Sequence, residues 1–270
     1  MVMNTLSIIV VNYKMAPLVK LLMESLLSDA TLPARTEILV VDNNSQDNSV
    51  ELLRSDFPEI TVIDNKENIG LAGGVNIALE QAKGKYTLLL NPDIVAMPGA
   101  VKTLVDFMEN NPDVGMAGGK LFSPNGSLQY SCYRFYTPMT ILYRRTPLGK
   151  TKKGREAINS FLMKDYDHEE ARDVDWLMGA CLITRKEVLK KVGGMDPRFF
   201  LYFEDVDWCR RVREAGFRVT YVPSAHFSHF HQRSSEKGSI LGLITNRATR
   251  EHIISAFKYF WKFRGKTLPK

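Results

Sequence analysis

The sequence predicts an α/β fold, a mostly parallel central sheet with helices packed on both faces. Three observations carry that expectation. Short aliphatic runs at residues 6–11, 37–41, 60–63, 86–90 and 114–117 alternate with stretches of helical spacing at 17–27, 48–54, 72–82 and 98–108. The runs are almost continuously apolar, as strands covered on both faces are. Polar residues follow each of the first four runs, and in a sheet of right-handed βαβ units those exits open on one ligand-binding edge.

Taken in order, the first strand leaves through Val11-Asn12-Tyr13, the second through Asp42-Asn43-Asn44-Ser45, the third through Asp64-Asn65 and the fourth through Asn91-Pro92-Asp93. Asn and Asp favour turns at any single exit. Four such exits on one edge favour contact with a nucleobase, a ribose or a metal. Residues 121–173 lose this regularity. They hold Tyr130, Tyr133, Phe135, Tyr136 and Tyr143 beside a basic cluster of Arg144, Arg145, Lys150, Lys152, Lys153 and Arg155. A segment of that length predicts a lid or a partner-binding excursion, with a plain surface loop as the alternative. Order returns with an apolar strand over 174–184, broken by Gly179-Ala180, and a helix over 186–192. After Gly193-Gly194-Met195-Asp196-Pro197 and an aromatic run at 199–203, Glu204-Asp205-Val206-Asp207 opens a helix that Gly216 stops. A last strand at 218–222 precedes His226, His229 and His231, and a helix is expected over 246–263.

Composition sets the outer bounds. With 44% hydrophobic and 24% charged residues in a chain of 270, disorder, collagen and coiled coil are excluded. Lys and Arg exceed Asp and Glu by 36 to 30, and the resulting +6 admits an anionic ligand or surface. Cys132, Cys181 and Cys209 are far apart and form no CxxC, which argues against a disulfide framework or a cysteine metal site and for a reducing compartment. No run approaches the ~20 apolar residues of a membrane span, and the N-terminal apolar run lacks the flanks of a signal peptide. The expectation is an intracellular protein, at most lying on a membrane.

Several constellations could carry chemistry. Asn68-Ile69-Gly70-Leu71-Ala72-Gly73-Gly74 follows the third strand and fits neither GxGxxG nor the P-loop. Its glycines allow close backbone approach to a ligand or close helix–strand packing. Asn91-Pro92-Asp93 delivers a carboxylate from a buried strand to the ligand edge. That suits a hard divalent ion whose other ligands are phosphate and water, and equally an Asx turn. Glu204, Asp205 and Asp207 crowd a helix start beside Phe200, Tyr202, Phe203 and Trp208, more acid than capping needs and a candidate general-base site. The clustered histidines could add a nitrogen ligand to Asp93, in a mixed site that favours Mn²⁺ or Mg²⁺ over zinc.

In their order and spacing these residues resemble the inverting family-two glycosyltransferases of GT-A type, and bacterial rhamnosyltransferase-like members in particular. The likeness runs over nearly the whole chain, through Ile9 to Tyr13, Val40 to Ser45, Asn68 to Asn76, Leu89 to Asp93, Val174 to Ala180, Gly193 to Asp196 and Phe203 to Asp207. It implies a GT-A, Rossmann-like sheet divided into a nucleotide-sugar donor half (1–120), an acceptor-binding and catalytic half (121–235) and a basic C-terminal helical tail (236–270). It implies that Asp42 reads the nucleobase, with Val11, Asn12, Asn68 and Gly70 lining the same pocket. Asn91-Pro92-Asp93 stands in the place of the family's DxD motif, Asn91 replacing the first Asp, so that Asp93 and His229 would hold Mn²⁺ or Mg²⁺ on the donor diphosphate. Asp205 falls at the family's general base, and Trp176, Gly179 and Glu204 are expected to face the acceptor sugar.

The implied reaction moves a sugar, rhamnose from dTDP-rhamnose as first choice and a UDP-hexose next, onto a saccharide or lipid-linked saccharide in cell-surface polysaccharide synthesis. A nucleotidyltransferase should show an early glycine-rich triphosphate loop, which Asn12-Tyr13-Lys14-Met15-Ala16 is not. A non-catalytic sugar-nucleotide-binding protein would not need Asp93, Glu204 and Asp205 together. Nucleic-acid binding has only the basic cluster in its favour and is discounted. The C-terminal helix mixes Arg247, Arg250, Lys258, Lys262, Arg264 and Lys266 with Ile253, Ile254, Phe257, Tyr259, Phe260 and Trp261. It is expected either on the anionic inner face of the cell membrane or packed against its own domain or the second subunit of a homodimer.

Overall fold

The computed structural model describes residues 5–230 and 246–269. In chain order the first half comprises β1 (Leu6–Asn12), α1 (Ala16–Leu27), β2 (Thr36–Asp42), α2 (Ser49–Asp56), β3 (Thr61–Asp64), α3 (Gly70–Gln81), β4 (Tyr86–Leu90), β5 (Ile94–Ala96), α4 (Ala100–Asn110) and β6 (Val114–Phe122). The second comprises β7 (Leu128–Gln129), β8 (Cys132–Tyr133), α5 (Pro138–Arg145), α6 (Lys152–Phe161), β9 (Arg172–Asp173), β10 (Trp176–Leu177), β11 (Cys181–Arg185), α7 (Lys186–Val192), α8 (Glu204–Glu214), β12 (Arg218–His229) and α9 (Arg247–Lys262).

The central sheet runs in the order β3-β2-β1-β4-β11-β6-β12-β5. The first four are mutually parallel, with Asn12 in register with Asp42 and Asp42 with Asp64, so three predicted strand exits align at one edge. Alternate residues of β1 serve two cores, as a strand covered on both faces requires. Leu6, Ile8 and Val10 share one with Val19, Leu22 and Met23 of α1 and Leu104 and Met108 of α4. Ile9 and Val11 share the other with Ala72, Val75 and Ala78 of α3 and with aromatic residues of the second half.

Beyond β4 the structure departs from a uniformly parallel reading. β6 does not pair with β4; β11 lies between them, antiparallel to both. The cause is where the chain spends residues 123–180. After β6 it stays at the ligand edge, with no crossover helix to carry it back, and it re-enters the sheet from that edge in the opposite direction. The predicted strand over 174–184 is two strands. β10 pairs with β8 in a separate small sheet, and β11 begins only after the break at Met178-Gly179-Ala180. The irregular excursion is largely built, with α5 and α6 carrying the basic cluster. The last strand continues past 222 to His229. Pro223 cannot donate to the ladder, and the register with β6 shifts between Val222 and His226, where the strand bulges and resumes.

α9 lies across the approach to α8. Asn246 caps it by accepting from the amides of Ala248 and Thr249 at 2.9 and 3.4 Å. Lys262 pairs with both Asp196 and Asp207, Ser255 Oγ donates to the Leu201 carbonyl, and Lys258 Nζ donates to the Arg198 carbonyl. This helix thus fixes the loop that leads into Glu204. Its inner face buries Ala256 and Tyr259, while Ile253, Ile254, Phe257 and Trp261 form an outward stripe, the last two 69% and 59% exposed. No described helix is long and apolar enough to cross a membrane.

Candidate active site

The first two strand exits are tied into one buried cluster. Asp42 Oδ2 accepts from Asn12 Nδ2 at 2.7 Å and Ser45 Oγ at 2.6 Å, and Asp42 Oδ1 accepts from the Ser45 amide at 2.9 Å. Asn12 Oδ1 accepts from the Met15 amide, so Asn12 also anchors the start of α1. One step along the edge, Asn43 Nδ2 donates to Asn68 Oδ1 and to the Gly70 carbonyl, at 3.1 and 3.0 Å. Asn12, Asp42, Asn68 and Gly70 therefore belong to one hydrogen-bonded wall, with Val11 beneath it. The glycine segment divides between the two readings of close approach. Gly70 has φ +79°, and a Cβ there would collide with the Phe200 carbonyl; a Cβ on Gly74 would meet Val11 Cγ1 at 2.8 Å. Here the glycines admit protein neighbours, and the loop at 199–203 seals that side of the wall.

The fourth exit connects this wall to the second half. The Asn91 amide donates to the Ala180 carbonyl at 3.0 Å, and the Asp93 carbonyl accepts from the Phe230 amide at 2.9 Å. His229 Nε2 lies 3.3 Å from Asp93 Oδ1, and His229 Nδ1 is 2.8 Å from Gln129 Oε1. Adjacent ligands on a hard divalent ion at 2.0–2.2 Å stand about 3 Å apart, so the Asp93 and His229 donor atoms are spaced to share one. Among the described residues no group of three or more His, Cys, Asp or Glu converges on such a point. The residues fit an ion that takes two protein ligands and completes its shell with phosphate and water. His226 is exposed with its ring edge-on to Phe122, and His231 lies outside the described residues, as do Ser234 and Ser235.

The three carboxylates at the start of α8 separate by environment. Tyr202 and Phe203 both have positive φ, +69° and +67°, a conformation costly for bulky side chains that aims the helix start at the break between β10 and β11. Asp205 Oδ2 accepts from the Gly179 amide at 2.9 Å, and Asp205 Oδ1 from the Val206 amide at 2.8 Å. Burial pushes the Asp205 carboxyl up to about 6, with those amide donors pulling the other way. Glu204 is pushed well above the usual carboxylate range by burial and by the neighbouring Asp205 charge. Asp207 is structural: fully buried, it pairs with Arg211 at 2.8 Å and with Lys262 of α9.

Gly179 touches the site through its backbone. A Cβ on it would stand 3.3 Å from Asp205 Cβ, so the residue must stay small for the amide–carboxylate bond to form. Trp176 lies deeper, stacked on Tyr133 and Tyr136 at centroid distances of 4.3 and 5.6 Å, its Nε1 donating to the Arg134 carbonyl. Tyr136 in turn packs on Phe203 at 4.9 Å, so the aromatic stack supports the helix start. Sequence reasoning named Ala180 only as part of a strand break and did not foresee its link to Asn91. It missed Gln129, which bonds His229, has no motif and lies 100 residues from its partner.

Comparison with known proteins follows the same outline. A family model described as "Glycosyltransferase like family 2" matches residues 4–252. N-acetylglucosaminyl-diphospho-decaprenol L-rhamnosyltransferase of Mycobacterium tuberculosis is 27% identical over 246 residues, 86% of this chain and 78% of that protein. Rhamnosyltransferase WbbL of Escherichia coli K12 is 27% identical over 261 residues, 84% of this chain and 93% of that one. Among solved structures, a mannosyltransferase from Pyrobaculum calidifontis in complex with GDP-Man and Mn²⁺ superposes with a TM-score of 0.62 at 18% identity, covering 99% of this chain and 66% of that one. Residues 1–349 of S. aureus TarS in complex with UDP give 0.59 at 17%, covering 83% of this chain and 60% of that one. The fold is that of GT-A enzymes.

Proposed function

From the premise that this chain belongs to the family-2-like glycosyltransferases, we propose that it moves rhamnose from dTDP-rhamnose to a lipid-linked saccharide, with inversion at the anomeric carbon. The family and its rhamnosyltransferase relatives make it a nucleotide-sugar glycosyltransferase of cell-surface polysaccharide synthesis. The particular sugar and acceptor are our reading.

One observation carries the mechanism. The Asp205 carboxylate is held by Gly179, the adjacent Ala180 is bonded to Asn91, and Asn91 begins the turn that ends in Asp93. Base and diphosphate holder thus stand on either side of one short break in the sheet. In our reading Asp42, with Asn12, Asn68 and Gly70, receives the base and ribose at the first two strand exits, the thymine or uracil imide N–H pointing to the Asp42 carboxylate. Asp205 takes the proton of the acceptor hydroxyl as its oxygen bonds to the anomeric carbon. The bond from that carbon to the diphosphate oxygen breaks on the opposite face, and the nucleoside diphosphate leaves with the electron pair. Asp93 and His229 would hold Mn²⁺ or Mg²⁺, which supplies charge neutralisation for the departing diphosphate when bound. In our reading Glu204, at the same helix start, faces the acceptor sugar.

The outward stripe on α9, flanked by Arg250, Lys258 and Arg264, supports a place on the inner face of the cell membrane, where a lipid-linked acceptor resides. The same stripe could instead join two copies, and vesicle binding separates the two. A calorimetric panel of dTDP-rhamnose, UDP-hexoses and GDP-mannose, with and without Mn²⁺, tests the donor. Tightest binding of dTDP-rhamnose is expected, and preference for a UDP-hexose would replace rhamnose in this account.

A further inference from the structure

We propose that Gln129 is the positioning residue that sets the ring orientation and tautomer of His229 for the divalent ion. The inference rests on the reading above in which Asp93 and His229 hold that ion.

Gln129 owes its place to a short hairpin. β6 ends at Phe122, a turn follows in which the Ser123 amide donates to the Ser127 carbonyl at 2.8 Å and Gly126 takes φ +80°, and β7 returns with Gln129 opposite Leu121. β12 pairs with the same stretch of β6, Ser228 opposite Phe122. β7 and β12 therefore flank the end of β6, and the Gln129 side chain reaches His229 from the other side.

The amide makes two bonds to one residue. Gln129 Nε2 donates to the His229 carbonyl at 3.0 Å, and Gln129 Oε1 faces His229 Nδ1 at 2.8 Å. A carbonyl oxygen only accepts, so the NH₂ end must face it, and that fixes which end of the amide meets the ring. Oε1 also only accepts, so Nδ1 carries the hydrogen. In the neutral ring the lone pair is then on Nε2, the atom 3.3 Å from Asp93 Oδ1. A histidine that donates its other ring N–H to a fixed acceptor is the arrangement that orients a metal-ligating imidazole. Gln129 Nε2 lies a further 3.3 Å from Ser123 Oγ, so the hairpin itself holds the amide.

The test is Mn²⁺ affinity, read by electron paramagnetic resonance titration of the full chain at fixed dTDP. Gln129→Leu is expected to bind Mn²⁺ 10–100-fold more weakly than wild type. Gln129→Glu, which keeps the acceptor for Nδ1, is expected to stay within a few-fold of wild type. Binding of dTDP in EDTA should be unchanged in both, which separates positioning from misfolding. In a His229→Ala background, adding Gln129→Leu should cost no further affinity, because the two act as one unit. Wild-type affinity in Gln129→Leu, or an equal loss from Gln129→Leu in the His229→Ala background, overturns the proposal. Absence of Mn²⁺ binding by wild type, or wild-type affinity in His229→Ala, overturns the metal reading itself and the proposal with it.

Discussion

At the scale of single residues, the start of α8 shows how environment divides chemically similar groups. Asp205, pushed up to about 6 by burial, is deprotonated at neutral pH yet basic enough to accept a hydroxyl proton in the transition state. Turnover is therefore expected to rise with pH through about 6 and then level, a limb absent from Asp205→Asn; a pH–rate profile of both proteins checks it. Glu204 gives a stability prediction of definite sign. Its folded value is raised above its unfolded one, so the folded state holds a proton the unfolded state releases. Its contribution to stability is present at low pH and is lost as pH climbs from about 4.5 toward the raised value. Glu204→Gln should melt higher than wild type at pH 8, with the gap closing toward pH 4.5, and thermal melts at several pH values measure it. From the sequence these carboxylates were a candidate general-base cluster whose members could not be told apart. The Arg211 partner of Asp207 is legible at helical spacing, but Lys262, which completes its neutralisation, lies 55 residues on. Only the family likeness singled out Asp205, and Gln129 had no signal because its bond to His229 crosses 100 residues.

At the scale of elements, β1, β2, β4 and β6 were legible because they are buried on both faces and read as continuous apolar runs, while the partly exposed edge strand β3 was legible from its short β-branched run. β11 was legible as a strand but not as an antiparallel one, since a run of Cys181-Leu182-Ile183-Thr184 carries no direction. Direction came from the excursion before it, which ends at the ligand edge. The break at Gly179-Ala180 looked like a defect in one strand and is the link that joins Asp205 to Asn91. The glycine segment yields a sharp test of the packing reading. Gly70→Ala would place a side chain at φ +79° against the Phe200 carbonyl, and a loss of at least about 2 kcal/mol is expected in denaturant melts. Stability equal to wild type would mean that the loop at 199–203 does not press on α3 as described.

At the scale of the molecule, the mild positive balance is unevenly spread. The proposed catalytic edge gathers Asp42, Asp93, Glu204 and Asp205, while basic residues collect on α5, α6 and α9, and α9 adds an exposed apolar stripe. Replacing Phe257 and Trp261 with Ser is expected to abolish co-sedimentation with anionic vesicles while leaving dTDP binding intact; unchanged sedimentation would assign the stripe to a second copy of the chain. In our reading, a sheet whose strand exits hold a nucleotide sugar is paired with a base that acts only in the transition state. The most direct measurement is Asp205→Asn against wild type, with donor affinity and turnover measured separately on a lipid-linked acceptor. Donor affinity close to wild type is expected, with turnover lowered by about 10²–10⁴-fold. Near-normal turnover in Asp205→Asn would contradict that reading.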